Sequence, residues 1–150
     1  MRRRNESPWT SGDSIHDLTV EGFAHGNVFR EGKGRAINLD HHRNRPFENL
    51  FTNLDVGDMS RLWNSSGRGD RGPRSAARTT VRNIRYSEGK TKVARRPKKM
   101  WPELNVIGLE GYPDTDIPES HWVESPSGGV LPVDLYEAQL KRRLEGKLGR

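Results

Sequence analysis

Between Asp40 and Arg45 the chain reads DHHRNR, which sets a carboxylate, two imidazoles and two guanidiniums within one short stretch. An imidazole titrates near neutrality, so His41 or His42 suits a general base. Arg43 and Arg45 suit a carboxylate, whose charge a guanidinium neutralises through paired hydrogen bonds. Together these types could remove a proton next to a carboxylate and stabilise the carbanion-like state that follows. On an extended strand end, His41 and Arg43 would share one side, and Asp40 and His42 the other. The competing reading is a solvated turn between two strands.

Other groups could join them. Arg30 and Arg61 are further carboxylate neutralisers, and Trp63 beside Arg61 could stack on a sugar ring or lie under the following loop. His25 and Asn27 form a turn near Arg30 and Lys33. Asp40, Glu48, Asp55 and Asp58 supply carboxyl groups. Hydrolysis would need two of them about 5–5.5 Å or ~6.5–9.5 Å apart. Oxygen ligands of this kind also suit Ca2+, and strand-end aspartates also form turns. No other cofactor is indicated, and no metal-ligand motif is present. Glycine-rich phosphate loops, HExxH and GxSxG are absent from the sequence.

The elements that must position these residues are short. Runs with alternating apolar residues occur at 16–23, 34–40, 48–57, 60–66, 79–89 and 103–111. Gly, Asn, Asp, Ser or Pro bounds each one, which is the pattern of strands and turns. Strict alternation puts Leu50, Thr52, Leu54 and Val56 on one face, and Phe51, Asn53 and Asp55 on the other. Ile37, Leu39, Leu50, Leu54 and Val56 are the expected core. The runs LTVEGF, FTNLDVG, VRNIRYSEG and NVIGLEG also resemble one another, as a degenerate repeat would. Strands too small to bury themselves suggest a stacked solenoid, with a β-sandwich as its rival.

Segments 65–78 and 90–102 read as exposed Gly/Arg-rich and basic inserts. Residues 1–14 read as a basic leader in which Trp9 is the anchor, and 112–150 as a C-terminal extension that Tyr112 and Trp122 pack against the body. Within the extension a helix is expected at about 135–146. Asp134 is its N-cap, Glu137 completes a capping box, and Tyr136, Leu140 and Leu144 form its apolar stripe.

Composition bounds the rest. The chain has 150 residues, 31% of them apolar, with 16 Gly, 9 Pro and no Cys. That permits a thin core and excludes a disulfide scaffold or a thiolate zinc site. A net charge of +6 favours polyanionic partners. The basic runs at 2–4, 95–99 and 141–143 could contact phosphates, but they carry no recognised nucleic-acid motif, so nucleic acid is the lesser candidate. The RGD tripeptide at 68–70 and the sequons at 5–7 and 64–66 are matches that arise readily by chance. No run reaches the ~20 apolar residues of a membrane span, and the basic start lacks the apolar run of a signal peptide.

The stretches FENLFTNLDVG, RLWNSSG, TTVRNIRY, WPELNVIGLEG and VDLYEAQLKRRL resemble the C-terminal rungs of secreted bacterial right-handed parallel β-helix proteins. These are polysaccharide-lyase-like members of the pectin-lyase-like superfamily, and the likeness covers about residues 15–146. It implies an all-β, right-handed parallel β-helix, a partial solenoid of about four to five rungs, closed by a C-terminal α-helix. It further implies binding or eliminative cleavage of an acidic polysaccharide, outside the cell or in the periplasm. His41 or His42 would be the base, and Arg61 or Arg30 the carboxylate neutraliser. Asp40, Arg43, Arg45, Asp55 and Trp63 would hold substrate. Such proteins are several hundred residues long, so the resemblance implies a fragment whose open end is covered by missing N-terminal rungs or another chain.

Overall fold

Each apolar run is too short to bury itself, and the chain answers by pairing run against run in parallel. The computed structural model describes residues 10–11, 18–42, 44–63, 75–87, 101–109, 119–124 and 130–148. The strand segments are β1 (Thr10–Ser11), β2 (Val28–Arg30), β3 (Lys33–Gly34), β4 (Leu50–Asp55), β5 (Thr80–Arg85), β6 (Asn105–Leu109) and β7 (Trp122–Glu124). They form one parallel sheet in the order β1-β3-β4-β5-β6-β7, with β2 also paired to β4. One helix follows, α1 (Leu135–Leu148), within a residue or two of the span expected from sequence.

Register explains the core. Phe29, Phe51, Val81, Val106 and Val123 are successive partners across the sheet. Phe51, Val81 and Val106 are buried completely, and Phe29 stacks on Phe51 with ring centroids 4.8 Å apart. A second inward row is Leu54, Ile84 and Leu109. In each strand the two inward residues are three apart, where alternation would make them two or four apart. The cause is a left-handed residue between them: Asn53 (φ 55), Asn83 (φ 48) and Gly108 (φ 68) occupy one register position, and Glu31 (φ 55) separates β2 from β3 at the same level. A left-handed residue turns the backbone and resets the phase, which Gly and Asn tolerate best. This corrects the expected faces. Phe51 is core with Leu54 and Val56, while Leu50 is half-buried on the opposite side.

A second left-handed row precedes the strands, at Gly26 (φ 67), Glu48 (φ 51), Arg78 (φ 51) and Glu103 (φ 54). Hydrogen bonds link its levels: Gly26 N to Glu48 O, Glu48 N to Ala77 O, and Arg78 N to Pro102 O. Glu and Arg are strained there, at roughly 1–2 kcal/mol each. Their side chains partly offset this, since Arg78 lies 2.7 Å from Glu48 and 3.7 Å from Glu103. The left-handed rows make a prediction. Replacing Asn53 by Gly should cost about 1 kcal/mol or less, since Gly suits the left-handed φ but loses the bond that Arg85 NH1 donates to Asn53 Oδ1. Replacing it by Val should cost about 1–2 kcal/mol in urea unfolding.

The remaining core comes from segments expected to be strands or loops. Residues 60–66 do not begin as a strand: Met59–Arg61 is a 3-10 helix, capped by Asp58, whose Oδ1 accepts from Ser60 N at 2.7 Å. Ser75 and Ala76, at the end of one expected insert, are buried, as is Trp101 at the end of the other. Trp101 meets Trp63 edge to face, with centroids 5.0 Å apart. Residues 18–20 and 37–42 pair mainly by single backbone bonds, including Val20 N to Asp40 O and His42 N to Val20 O, both 2.9 Å.

Candidate functional site

The backbone bonds at Val20 bring two of the expected site residues together. Asp40 is fully buried, and its Oδ2 accepts from Thr19 Oγ1 at 3.2 Å and lies 3.7 Å from His42 Nδ1. The His42 side chain retains 15% exposure. A buried carboxylate beside a partly exposed imidazole can orient that ring.

His41 points into the core. It is 0% exposed, and it meets Trp101 and Phe51 edge-on with centroids 4.4 and 5.6 Å away. Its Nδ1 lies 3.0 Å from Leu39 O, which fixes the neutral tautomer with hydrogen on Nδ1. Burial pushes its pKa down to about 4, against the opposing pull of the Leu39 carbonyl and Asp40. A group so enclosed does not reach a polymer in solvent.

The other expected residues are dispersed. Arg30 NH1 bonds Asp134 Oδ2 and Glu137 Oε2, each at 2.8 Å, and its guanidinium lies 5.4 Å from the Tyr136 ring centroid. Asp55 faces Lys33 Nζ at 3.4 Å and accepts from Gly57 N. Trp63 is 1% exposed and belongs to the core. Arg61 is half-buried on the 3-10 helix, and Arg45 is exposed. His25 stacks on Phe47. Arg43, the RGD tripeptide, both sequons, Trp9, Tyr112 and the basic runs at 2–4 and 95–99 lie outside the described residues. Among the described residues, no three His, Asp or Glu side chains group as metal ligands, and no helix is long and apolar enough to cross a membrane.

The sequence expects Leu50 in the core and Trp122 packed against the body, yet both lie on the outward face of the sheet, and Trp122 is exposed. Leu50, Thr80, Asn105 and Trp122 are successive partners there. Asn105 Nδ2 donates to Thr80 Oγ1 at 3.3 Å. Trp122 is 61% exposed, and its indole N–H donates to Glu124 Oε1 at 2.9 Å, which fixes the ring plane. The next outward row is Arg30, Thr52, Arg82, Ile107 and Glu124. Arg82 donates to the carbonyls of Val133 (3.0 Å) and Val130 (3.1 Å). Asn83 Nδ2 donates to the same two carbonyls, and its Oδ1 accepts from Val130 N. Residues 130–137 therefore form a strap across this row, from Asn83 to Arg30. The signal for Trp122 was an isolated aromatic in polar sequence. Nothing local signals the strap, whose Arg30–Asp134 bond spans 104 positions.

No family model, curated protein or solved structure matches this chain.

Proposed function

We propose that the chain is a module of a right-handed parallel β-solenoid whose outer face binds an acidic polysaccharide without cleaving it. The solenoid reading is supported by the register. The chain returns to the same sheet position from Val28 to Leu50, then Thr80, Asn105 and Trp122, always in parallel. One left-handed row precedes the strands and a second runs within them, each at constant register, as the bends of stacked coils would. Right-handedness follows from the strong chiral preference of parallel crossovers. In this reading further coils or another chain cover the sheet edges, because unpaired edges recruit partners.

The observation that carries the binding reading is Trp122. Its indole is exposed, fixed in plane, and continuous with the polar row of Asn105 and Thr80. A flat, amphipathic ring beside hydrogen-bonding groups suits a sugar. The net charge of +6 favours an acidic one, met outside the cytoplasm. Titration of polygalacturonate into the protein should give binding that weakens steadily as salt rises. Trp122→Ala should lower the affinity at least about tenfold, the loss of one stacking anchor worth ~1.4 kcal/mol. Undetectable binding at low salt would sink the reading.

Cleavage is the second reading, favoured by the Asp40–His42 pair alone. If it holds, His42→Ala abolishes the rise in ultraviolet absorbance from unsaturated uronate products. On the first reading the unaltered protein produces no such rise.

A further inference from the structure

Arg82 is 3% exposed, yet its two hydrogen bonds go to backbone carbonyls, and among the described residues no carboxylate pairs with it directly. A buried cation held by carbonyls alone is costly, and desolvation lowers its pKa, opposed among the described residues by the charge of Asp134. Next to it in register lies Thr52, fully buried, whose Oγ1 has no hydrogen-bond partner among the described residues. On the far side of Thr52 stands Arg30, held by Asp134 and Glu137 of the strap. The row thus carries two arginines whose backbone positions are two strand spacings apart, about 9–10 Å, with an unused hydroxyl between them. Packing alone would favour an apolar residue at either inner position.

We propose that Arg30, Thr52 and Arg82 form a binding site for the carboxylates of an acidic oligosaccharide, and that the strap covers it with Asp134 and Glu137 as ligand mimics. The inference rests on the binding reading above and extends it. Thr80 and Arg82 both face outward on β5, so the site adjoins the row that ends at Trp122. A chain stacked on Trp122 would present its uronate groups to Arg82, and to Arg30 once the strap lifts. Arg30 already shows the chemistry required, two carboxylate oxygens at 2.8 Å.

The test weakens the mimic without breaking the helix cap. Asp134 Oδ1 accepts from Glu137 N, a bond that Asn preserves, so Asp134→Asn with Glu137→Gln removes charge and leaves α1 capped. Glu21→Gln with Glu145→Gln changes net charge equally at exposed positions outside the row. Trigalacturonate is titrated into each by calorimetry, with circular dichroism showing that each is folded. The double variant at the strap should bind about tenfold tighter than the charge control. Arg82→Met added to it should erase the gain. Thr52→Val added to it should weaken binding without lowering thermal stability, since it removes an unpartnered hydroxyl. Equal gain in the charge control, or a gain that survives both Arg82→Met and Thr52→Val, overturns this site and leaves the binding reading standing. No binding by any variant or by the unaltered protein overturns both.

Discussion

Lowering the pH from 7 to 4 should cost about 3 kcal/mol of folding stability through His41 alone. The folded pKa is depressed to about 4 from an unfolded value of 6.5, because the ring is enclosed by Phe51 and Trp101. Between those two values the unfolded chain takes up a proton that the folded chain refuses. The stabilisation is therefore complete above about pH 6.5, falls as the pH drops, and levels off below about 4 for this group. Urea unfolding at half-unit intervals across that window measures it. His41→Gln should start less stable, because it loses aromatic packing, and should show a much flatter profile. An unchanged slope in that variant would remove His41 as the cause.

Gly57→Ala should be at least as damaging, at about 3 kcal/mol or more. A Cβ at Gly57 would lie 2.3 Å from Arg35 O and 2.4 Å from Gly34 O, both backbone atoms. Relief requires separating this segment from residues 34–36. That movement would strain the bonds from Asp58 N to Arg35 O (2.7 Å) and from Ile37 N to Val56 O (3.0 Å). The left-handed φ of 67° adds roughly 1–2 kcal/mol for any residue with a Cβ. Gly22→Ala isolates that second effect, since φ is 59° there and nothing lies within 4 Å. Thermal unfolding should show a small loss at Gly22 and a severe one at Gly57. Similar losses at both positions would mean that the close approach at Gly57 is relieved cheaply.

Strands and helix were legible because their signals are local. The expected runs at 48–57, 79–89 and 103–111 contain β4, β5 and β6, and the cap at Asp134 locates α1. Facing was less legible. Period-two counting assumes an unbroken strand, and one left-handed residue at Asn53 moves Phe51 and Leu54 to the same side. The site suffered most. DHHRNR looks like one polar cluster, but Asp40 and His41 are buried completely while Arg45 is exposed. His41 is held among aromatics from Phe51 and Trp101, one of them sixty positions away. Arg30 read as a free cation because its partners lie more than a hundred positions along the chain. Adjacency in sequence gave the correct pair at Asp40 and His42, because positions two apart on an extended segment share a side.

The most direct measurement compares polygalacturonate with its fully methyl-esterified form, which has the same sugar backbone without the charges, at physiological ionic strength. Acidic-polysaccharide binding on the face of Trp122 predicts strong binding of the acid form, at least about tenfold weaker binding of the ester, and a loss on Trp122→Ala for the acid form. Equal affinity for the two polymers, or binding of the acid form indifferent to Trp122, would contradict it.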